Sequence, residues 1–249
     1  MDNSKNKQVS TRDALSLDFE SLVNRIQNST YALQENARMI INRNVTVRAW
    51  LTGFYIVEYE QKGTDRAKYG EQLLNKLSKQ LDNKSFGLSS LKNYRQFYLY
   101  YPELIVPIVD YLRQHPLKSQ TLSGFLEGSE NQSDEISRTL SGVLPNLRSS
   151  KVSQDGFAML TTDGDVVPVP QMLFNRMSYS NITLLLHVED SIQRAFYAIE
   201  AMRGPWSYRE LKRQIDTNYY IRSGWSKRPN LLAEKINDQI ETATCKEEN

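Results

Sequence analysis

Residues 86–102 read FGLSSLKNYRQFYLYYP and place six aromatic side chains and two cations in a window of helical length. In a helix, successive side chains are rotated by about 100°, so residues three and four apart share a face. Counted from Ser89, one face carries Leu91, Tyr94, Phe97, Tyr98 and Tyr101. The pattern therefore predicts a helix whose aromatic face is buried and whose opposite, polar face points outward.

The polar face of this helix has the chemistry of a DNA-contacting surface. Short hydroxyl, amide and cationic side chains near a helix N-terminus suit phosphate oxygens and base edges in a major groove. The predicted contacts are Ser89, Ser90, Lys92, Asn93, Arg95 and Gln96. Arg95 borders the aromatic face, and an internal ion pair is the alternative for it.

A second helix with similar features begins in the sequence WSYRE at 206–210. Ser207 followed by Glu210 is a capping box, with Trp206 and Leu211 placed as a hydrophobic staple. We expect a buried face formed by Tyr208, Leu211, Ile215 and Tyr219, and a DNA-facing set formed by Arg209, Lys212, Arg213 and Thr217. These cations should mostly contact phosphates. The alternative is that Arg209 and Arg213 pair with acidic residues of a partner subunit.

Composition bounds the class of protein. The chain has 249 residues, of which 39% are hydrophobic and 24% charged, as in a globular protein. Its single cysteine, Cys245, excludes a disulfide within the chain. No secretory signal is recognisable at the N-terminus, and the longest apolar run, LIVPIVDYL, is too short to span a bilayer. We therefore expect a bacterial-type cytoplasmic protein without a membrane partner.

Charge is unevenly distributed along the chain. Residues 62–95 contain eight Lys or Arg and three Asp or Glu, and residues 203–228 contain seven and two. Residues 117–172 show the reverse, with four basic and seven acidic. Two basic windows around an acidic spacer favour a polyanionic partner, although solvated faces of ordinary helices give the same counts.

The pattern of apolar residues predicts the organisation of the chain. Helical periodicity runs through 15–60 and 69–83, is lost from 117 to 171, and returns from 178 to 220. In the last range, Asp190 can cap a helix that carries Ile192, Phe196 and Ile199 inward and ends at Gly204-Pro205. Within the spacer, DGFAMLTTDGDVVPVP predicts a small hairpin, and the acidic half is expected to be mobile. The predicted fold is mainly α, with an N-terminal lobe at 11–116, a polar spacer at 117–171, and a second lobe with a C-terminal helix at 172–249. In each lobe a capped basic helix follows another helix, which is the helix-turn-helix plan.

Dispersed motifs in this sequence resemble the amino-terminal domain of the YhcG-like PD-(D/E)XK nuclease family. In the first half the resemblance rests on Trp50, Gly53, Ile56, Arg66, Ala67, Tyr69, Gly70, Leu77, Leu81, Arg95, Gln96, Phe97, Tyr98 and Pro102. In the second half it rests on Arg194, Ala195, Phe196, Tyr197, Trp206, Ser207, Arg209, Glu210, Leu211, Gln214 and Ile215. It covers roughly 20–116 and 172–222, and its motifs occur in the family's order.

The resemblance implies a helical module with winged-helix-like DNA-binding units, placed ahead of a nuclease domain in proteins that handle DNA, including foreign DNA. This sequence departs from the family in a shortened turn at 86–89 and in Tyr179 and Asn181, where a Trp and a His are usual. It also ends at Asn249, where the nuclease domain would be expected to begin. We therefore expect no enzyme activity from this chain.

Catalytic patterns within the chain are weak. The Glu210-Leu211-Lys212 match to Glu-x-Lys lies in a capped helix, whereas a nuclease of this class needs it on a strand. Asp163 and Asp165 flank Gly164 and fit either a turn or a cation contact. We predict no cofactor and no metal site. The function predicted is a double-stranded DNA-binding module that acts with or regulates a nuclease or a restriction or phage-defence complex. The alternative is a helical scaffold subunit of such a complex, and self-association is left open.

Overall fold

The computed structural model describes residues 19–61, 70–115, 151–161 and 164–224, and these residues are mainly helical, as predicted. The helices are α1 (Phe19–Gln61), α2 (Gly70–Leu81), α3 (Leu88–Tyr100), α4 (Ile105–Gln114), α5 (Pro170–Arg176), α6 (Tyr179–Leu186), α7 (Ser191–Arg203), α8 (Tyr208–Asp216) and α9 (Tyr219–Arg222). Short 3-10 turns at Lys84–Phe86 and Pro102–Leu104 precede α3 and α4. The predicted C-terminal helix and the acidic half of the spacer lie outside the described residues.

The chain divides into two compact units, Met1–Ile41 and Asn42–Asn249. The described part of the first unit is the first half of α1, in which Phe19, Leu22 and Ile26 are exposed. The predicted helical periodicity is confirmed there. Within the described residues of this unit, however, none is buried.

The core of the second unit is built around the aromatic face of α3. Leu91 and Phe97 are fully buried, and Tyr94, Tyr98 and Tyr101 are less than a tenth exposed. This confirms the face predicted from the sequence. The helix begins directly after Gly87.

Helix α1 approaches α3 closely at Gly53. A Cβ atom at Gly53 would overlap the backbone carbonyl group of Tyr94 and lie 3.0 Å from the Cβ of Tyr98. Next to this contact, the Trp50 ring lies edge-on to the Tyr98 ring at 5.2 Å. Its Nε1 donates a hydrogen bond of 2.8 Å to the carbonyl of Tyr101. The absence of a side chain at Gly53 and the hydrogen bond from the Trp50 indole therefore determine how closely α1 and α3 pack.

Helices from both predicted lobes share this core. The ring of Tyr179, at the start of α6, contacts Tyr94 at 5.7 Å and Phe97 at 5.8 Å. One cluster of buried residues includes members from α1, α3, α4, α5, α6, α7 and α8. Helices from both predicted ranges therefore contribute to one buried cluster, and periodicity alone could not show this, because it identifies an apolar face but not the helix that covers it. As functional modules, the ranges 11–116, 117–171 and 172–249 stay a prediction.

A three-stranded antiparallel sheet precedes α5. Its strands are β1 (Lys151–Val152), β2 (Ala158–Leu160) and β3 (Val166–Pro168), in that order across the sheet. The predicted hairpin corresponds to β2 and β3, paired with Met159 opposite Val167. The additional strand β1 was not predicted, because two residues are too few to show an alternating pattern.

Candidate nucleic-acid interface

The predicted DNA-contacting residues lie on α3 and on α8 with its C-cap, and these helices follow α2 and α7, respectively. On α3, Ser89 and Lys92 are exposed, whereas Ser90 and Asn93 are half-buried. Lys92, Arg95 and Gln96 line one cleft of about 500 Å³ together with Glu60 of α1. The structure thus brings three of the six predicted α3 residues together beside a carboxylate.

Arg95 forms an internal ion pair, which the sequence analysis gave as the alternative to a DNA contact. Its Nε lies 2.8 Å from Oε2 of Glu60, whose side chain is only 10% exposed. The other oxygen of that carboxylate, Oε1, is buried and has no hydrogen-bond partner among the described residues. Arg95 is therefore a cationic partner of a nearly buried carboxylate and joins α3 to α1.

Gln96 is also engaged inside the protein. Its Nε2 donates hydrogen bonds of 2.9 Å to the carbonyl of Leu186 at the end of α6 and to the hydroxyl of Tyr100. Both amide hydrogens are thereby used, so reading a base edge would require both bonds to break. The sequence places Gln96 on the polar face correctly, but α6 covers that part of the face.

We expect Arg95→Ala to destabilise the fold more than Lys92→Ala, because it leaves the Glu60 carboxylate nearly buried without its cation. Removing one partner of a buried pair can cost about 3–5 kcal/mol, and the partial exposure of Arg95 reduces this to about 1–3 kcal/mol. Lys92→Ala should change the free energy of unfolding by less than about 0.5 kcal/mol. Urea denaturation measures both.

Glu60→Gln serves as the matched test of this ion pair. In the Arg95→Ala background it removes the uncompensated charge and should restore part of the lost stability. Equal, small effects of Arg95→Ala and Lys92→Ala would show that the pair does not stabilise the fold.

Exposed lysines also occur on α2 and in the turn before α3. Residues 72–96 contain five cations and one acidic residue, Asp82. Besides Lys92, the exposed cations are Lys76 and Lys79 on α2 and Lys84 in the turn between the helices. The site prediction did not include these three lysines, although the charge count over 62–95 already pointed to them.

The N-terminus of α8 has the Ser207 half of the predicted capping box, whereas the Glu210 carboxylate accepts hydrogen bonds from the next turn of the helix. The Ser207 hydroxyl accepts a hydrogen bond of 3.2 Å from the backbone N–H of Glu210. The Glu210 carboxylate accepts hydrogen bonds from Arg213, at 2.7 and 3.1 Å, and from Gln214. These hydrogen bonds, first those from Arg213, lower the pKa of Glu210. Leu211 is buried as predicted, but Tyr208 is 46% exposed, because the first turn of α8 extends beyond the core.

The predicted polar residues of α8 lie at the surface. Arg209 is exposed and has no ion pair or hydrogen bond to its side chain within the described part of the chain. Lys212 lies 3.1 Å from Asp216, and the Thr217 hydroxyl donates a hydrogen bond of 2.8 Å to the carbonyl of Arg213. Exposed ion pairs within one helix contribute little to stability. Their cations could therefore exchange an internal carboxylate for a phosphate at small cost.

A charged cluster between α3 and α7 was missed by the sequence analysis. The Arg194 guanidinium lies over the Tyr100 ring at 3.7 Å and donates a hydrogen bond of 2.8 Å to the carbonyl of Val188. Nearby, burial raises the pKa of Glu103 to about 7, partly opposed by a backbone hydrogen bond and by the charge of Arg194. The sequence signal was Arg194 itself, which the family motif contains.

The raised pKa of Glu103 predicts a pH-dependent stability. The folded state holds this proton more tightly than the unfolded chain, so the stabilisation is full at low pH and is lost as the pH rises from about 4.5 to about 7. Glu103→Gln keeps the site neutral. We expect the loss of unfolding free energy between pH 5 and pH 8 to be at least about 1 kcal/mol greater in the wild type. Urea denaturation at the two pH values measures this loss. An equal loss of unfolding free energy in the wild type and in Glu103→Gln would contradict the prediction.

Within the described residues, no group of three or more His, Cys, Asp or Glu side chains could hold a metal ion. Asp163 lies outside those residues, while Asp165 donates its backbone N–H to the Thr161 hydroxyl in the β2–β3 turn. None of the described helices is both long and apolar enough to cross a bilayer.

Comparison with known proteins finds a matching domain family and a relative that aligns with a larger part of the chain. Residues 23–114 match the DUF1016 N-terminal domain, which here comprises most of α1 and all of α2, α3 and α4. The chain is also a distant homologue of the Escherichia coli (strain K12) protein named "Putative nuclease YhcG", with 33% identity over 186 residues. The aligned region is 74% of this chain but 40% of that relative, so the chain matches well under half of the relative's length. The predicted YhcG-like resemblance is confirmed. No solved structure matches the chain.

Proposed function

We propose that this chain is a double-stranded DNA-binding module that acts with, or regulates, a nuclease or a restriction or defence complex, without cleaving DNA itself. The observation that carries the proposal is the presence of four exposed lysines on α2, on α3 and in the turn between them: Lys76, Lys79, Lys84 and Lys92. The relative's name as a nuclease supports a role in DNA handling.

These four lysines are suited to phosphates more than to bases. Lysine is a flexible point charge, and contacts of this kind set the position of a protein on DNA without reading sequence. Ser89 lies in the first turn of α3 and is exposed, like Lys92. Its hydroxyl would contact the same phosphate backbone of the DNA as these lysines. Arg95 and Gln96 support the interface from inside by holding α3 against α1 and α6. Arg209, Lys212, Arg213 and Thr217 would form a second phosphate-contacting patch on α8.

An apolar groove supports the alternative of a scaffold subunit. It has a volume of about 570 Å³ and lies between α1 and α2, where Tyr55, Tyr59, Leu73, Leu77 and Leu81 line it. Apolar grooves of this kind accept an amphipathic helix from a partner. Salt dependence separates the two functions, because phosphate binding weakens steeply with salt and apolar docking does not.

DNA binding can be tested by fluorescence anisotropy with a labelled duplex at several salt concentrations. Lys79→Ala combined with Lys84→Ala removes two phosphate contacts, so the slope of log K against log salt should fall by about 2. Affinity should drop similarly for duplexes of different sequence. The matched control combines Arg113→Ala with Lys151→Ala, which removes the same charge from other exposed positions.

The control variant should bind as the wild type does. An equal loss of DNA affinity in both double variants would show that only net charge matters. Unchanged affinity in both would exclude the α2–α3 surface as the binding site. Binding to a protein partner that resists salt would favour the scaffold function.

A further inference from the structure

Large apolar side chains recur at every seventh position in the first half of α1. Phe19, Ile26, Leu33 and Ile40 are 80%, 56%, 69% and 39% exposed, respectively. An isolated helix that leaves such side chains in water is marginally stable. This segment therefore has an apolar face that no described residue covers.

The spacing of these residues is that of a coiled coil. A strict seven-residue repeat drifts around a straight helix and stays on one line only if two helices supercoil. Val23, Thr30 and Ala37 lie four residues after Phe19, Ile26 and Leu33, respectively, and complete the three-and-four alternation of a seam. We call these seven residues the α1 seam.

The residues beside the α1 seam indicate what covers it. Beside the seam between 19 and 41, Glu20 is charged and the other flanking positions are uncharged: Leu22, Gln27, Ser29, Gln34, Asn36 and Ile41. The remaining charged residues of this segment, Arg25, Glu35 and Arg38, lie on the outer face, where Arg38 pairs with Glu35 at 3.1 Å. Where a coiled coil pairs with a chain of another sequence, charged residues at the flanking positions usually select that partner. Neutral flanks instead allow a second copy to approach without repulsion between like charges.

The sizes of the seam residues favour one orientation. A parallel pair would place small residues opposite small ones, such as Ala37 against Ala37, and leave voids. An antiparallel pair places Ala37 opposite Ile26, Thr30 opposite Leu33 and Val23 opposite Ile40. Each of these three layers then combines a large residue with a smaller one, which fills the space evenly, and Phe19 lies beyond them at the end of the seam.

We propose that the chain self-associates through the α1 seam, as an antiparallel pair of helices from two copies. Residues 19–41 span about 34 Å as a helix, which gives an interface at the small end of specific ones. Because small interfaces are commonly weak, we expect a dissociation constant on the order of micromolar. The association does not depend on DNA binding.

Sedimentation equilibrium of the full chain tests this proposal with two matched variants. Leu33 in the seam and Tyr31 outside it are 69% and 67% exposed, so Leu33→Glu and Tyr31→Glu place the same charge at equally exposed sites. We expect Leu33→Glu to weaken dimerisation at least about 100-fold, because a carboxylate is buried twice per dimer. Tyr31→Glu should dimerise as the wild type does, and far-UV circular dichroism should show both variants folded.

A monomeric wild type at about 100 μM, well above micromolar dissociation constants, would overturn the proposal. So would a dimer that both variants retain or both lose while folded. Orientation is tested in a Cys245→Ser background. Ile26→Cys combined with Ala37→Cys should form a disulfide-linked dimer, whereas crosslinking by Ala37→Cys alone would overturn the antiparallel pairing.

Discussion

Gly53→Ala should lower the free energy of unfolding by more than about 3 kcal/mol, or prevent folding. In an ordinary helix interior the same change stabilises by about 1 kcal/mol. Here the new Cβ would overlap the Tyr94 carbonyl, which belongs to the backbone of α3 and cannot rotate away. The helices would have to separate, and the aromatic contacts next to Gly53 would loosen with them.

Urea denaturation of the wild type and the variant measures this effect. Gly87→Ala is the matched control, because a Cβ there would meet nothing closer than the Lys84 carbonyl at 3.9 Å. As a change at the N-cap of α3, it should cost no more than about 1 kcal/mol. A stabilised Gly53→Ala variant would mean that α1 and α3 do not approach as described.

Trp50→Ala should destabilise the fold by about 3–5 kcal/mol. The side chain is fully buried, stacks on Phe54 with centroids 5.8 Å apart, and donates its indole N–H to the Tyr101 carbonyl. Removing it leaves a cavity and takes one of two hydrogen bonds from the Tyr101 carbonyl, which keeps the bond of 3.2 Å from the backbone N–H of Leu104. The cavity and the lost hydrogen bond both lower the free energy of unfolding.

The second tryptophan of the described residues provides the comparison. Trp206 is half-buried and lies 5.9 Å from the Tyr219 ring at the edge of the core. We therefore expect Trp206→Ala to cost less than half as much as Trp50→Ala, in the same chemical denaturation experiment. The opposite order would place the main core around α8 instead of α1 and α3.

Local features could be predicted where a few neighbouring residues decide the structure. Asp190 and Ser207 cap α7 and α8 as expected, since an N-cap bond joins residues only three positions apart. Helix α7 ends at Arg203, before Gly204 and Pro205, as the sequence indicates. Burial at helix ends was less predictable: Ile192, expected to point inward, is 41% exposed in the first turn of α7.

For the candidate interface, the sequence by itself determined which residues of α3 form its polar face and which of its aromatic residues are buried. That follows from helical geometry, in which residue type and spacing suffice. Only the tertiary structure decided that Arg95 pairs with Glu60 and that Gln96 binds the end of α6, 35 and 90 residues away. Contacts over such distances depend on how helices pack, and a periodic pattern carries no information about the partner that will meet each polar side chain.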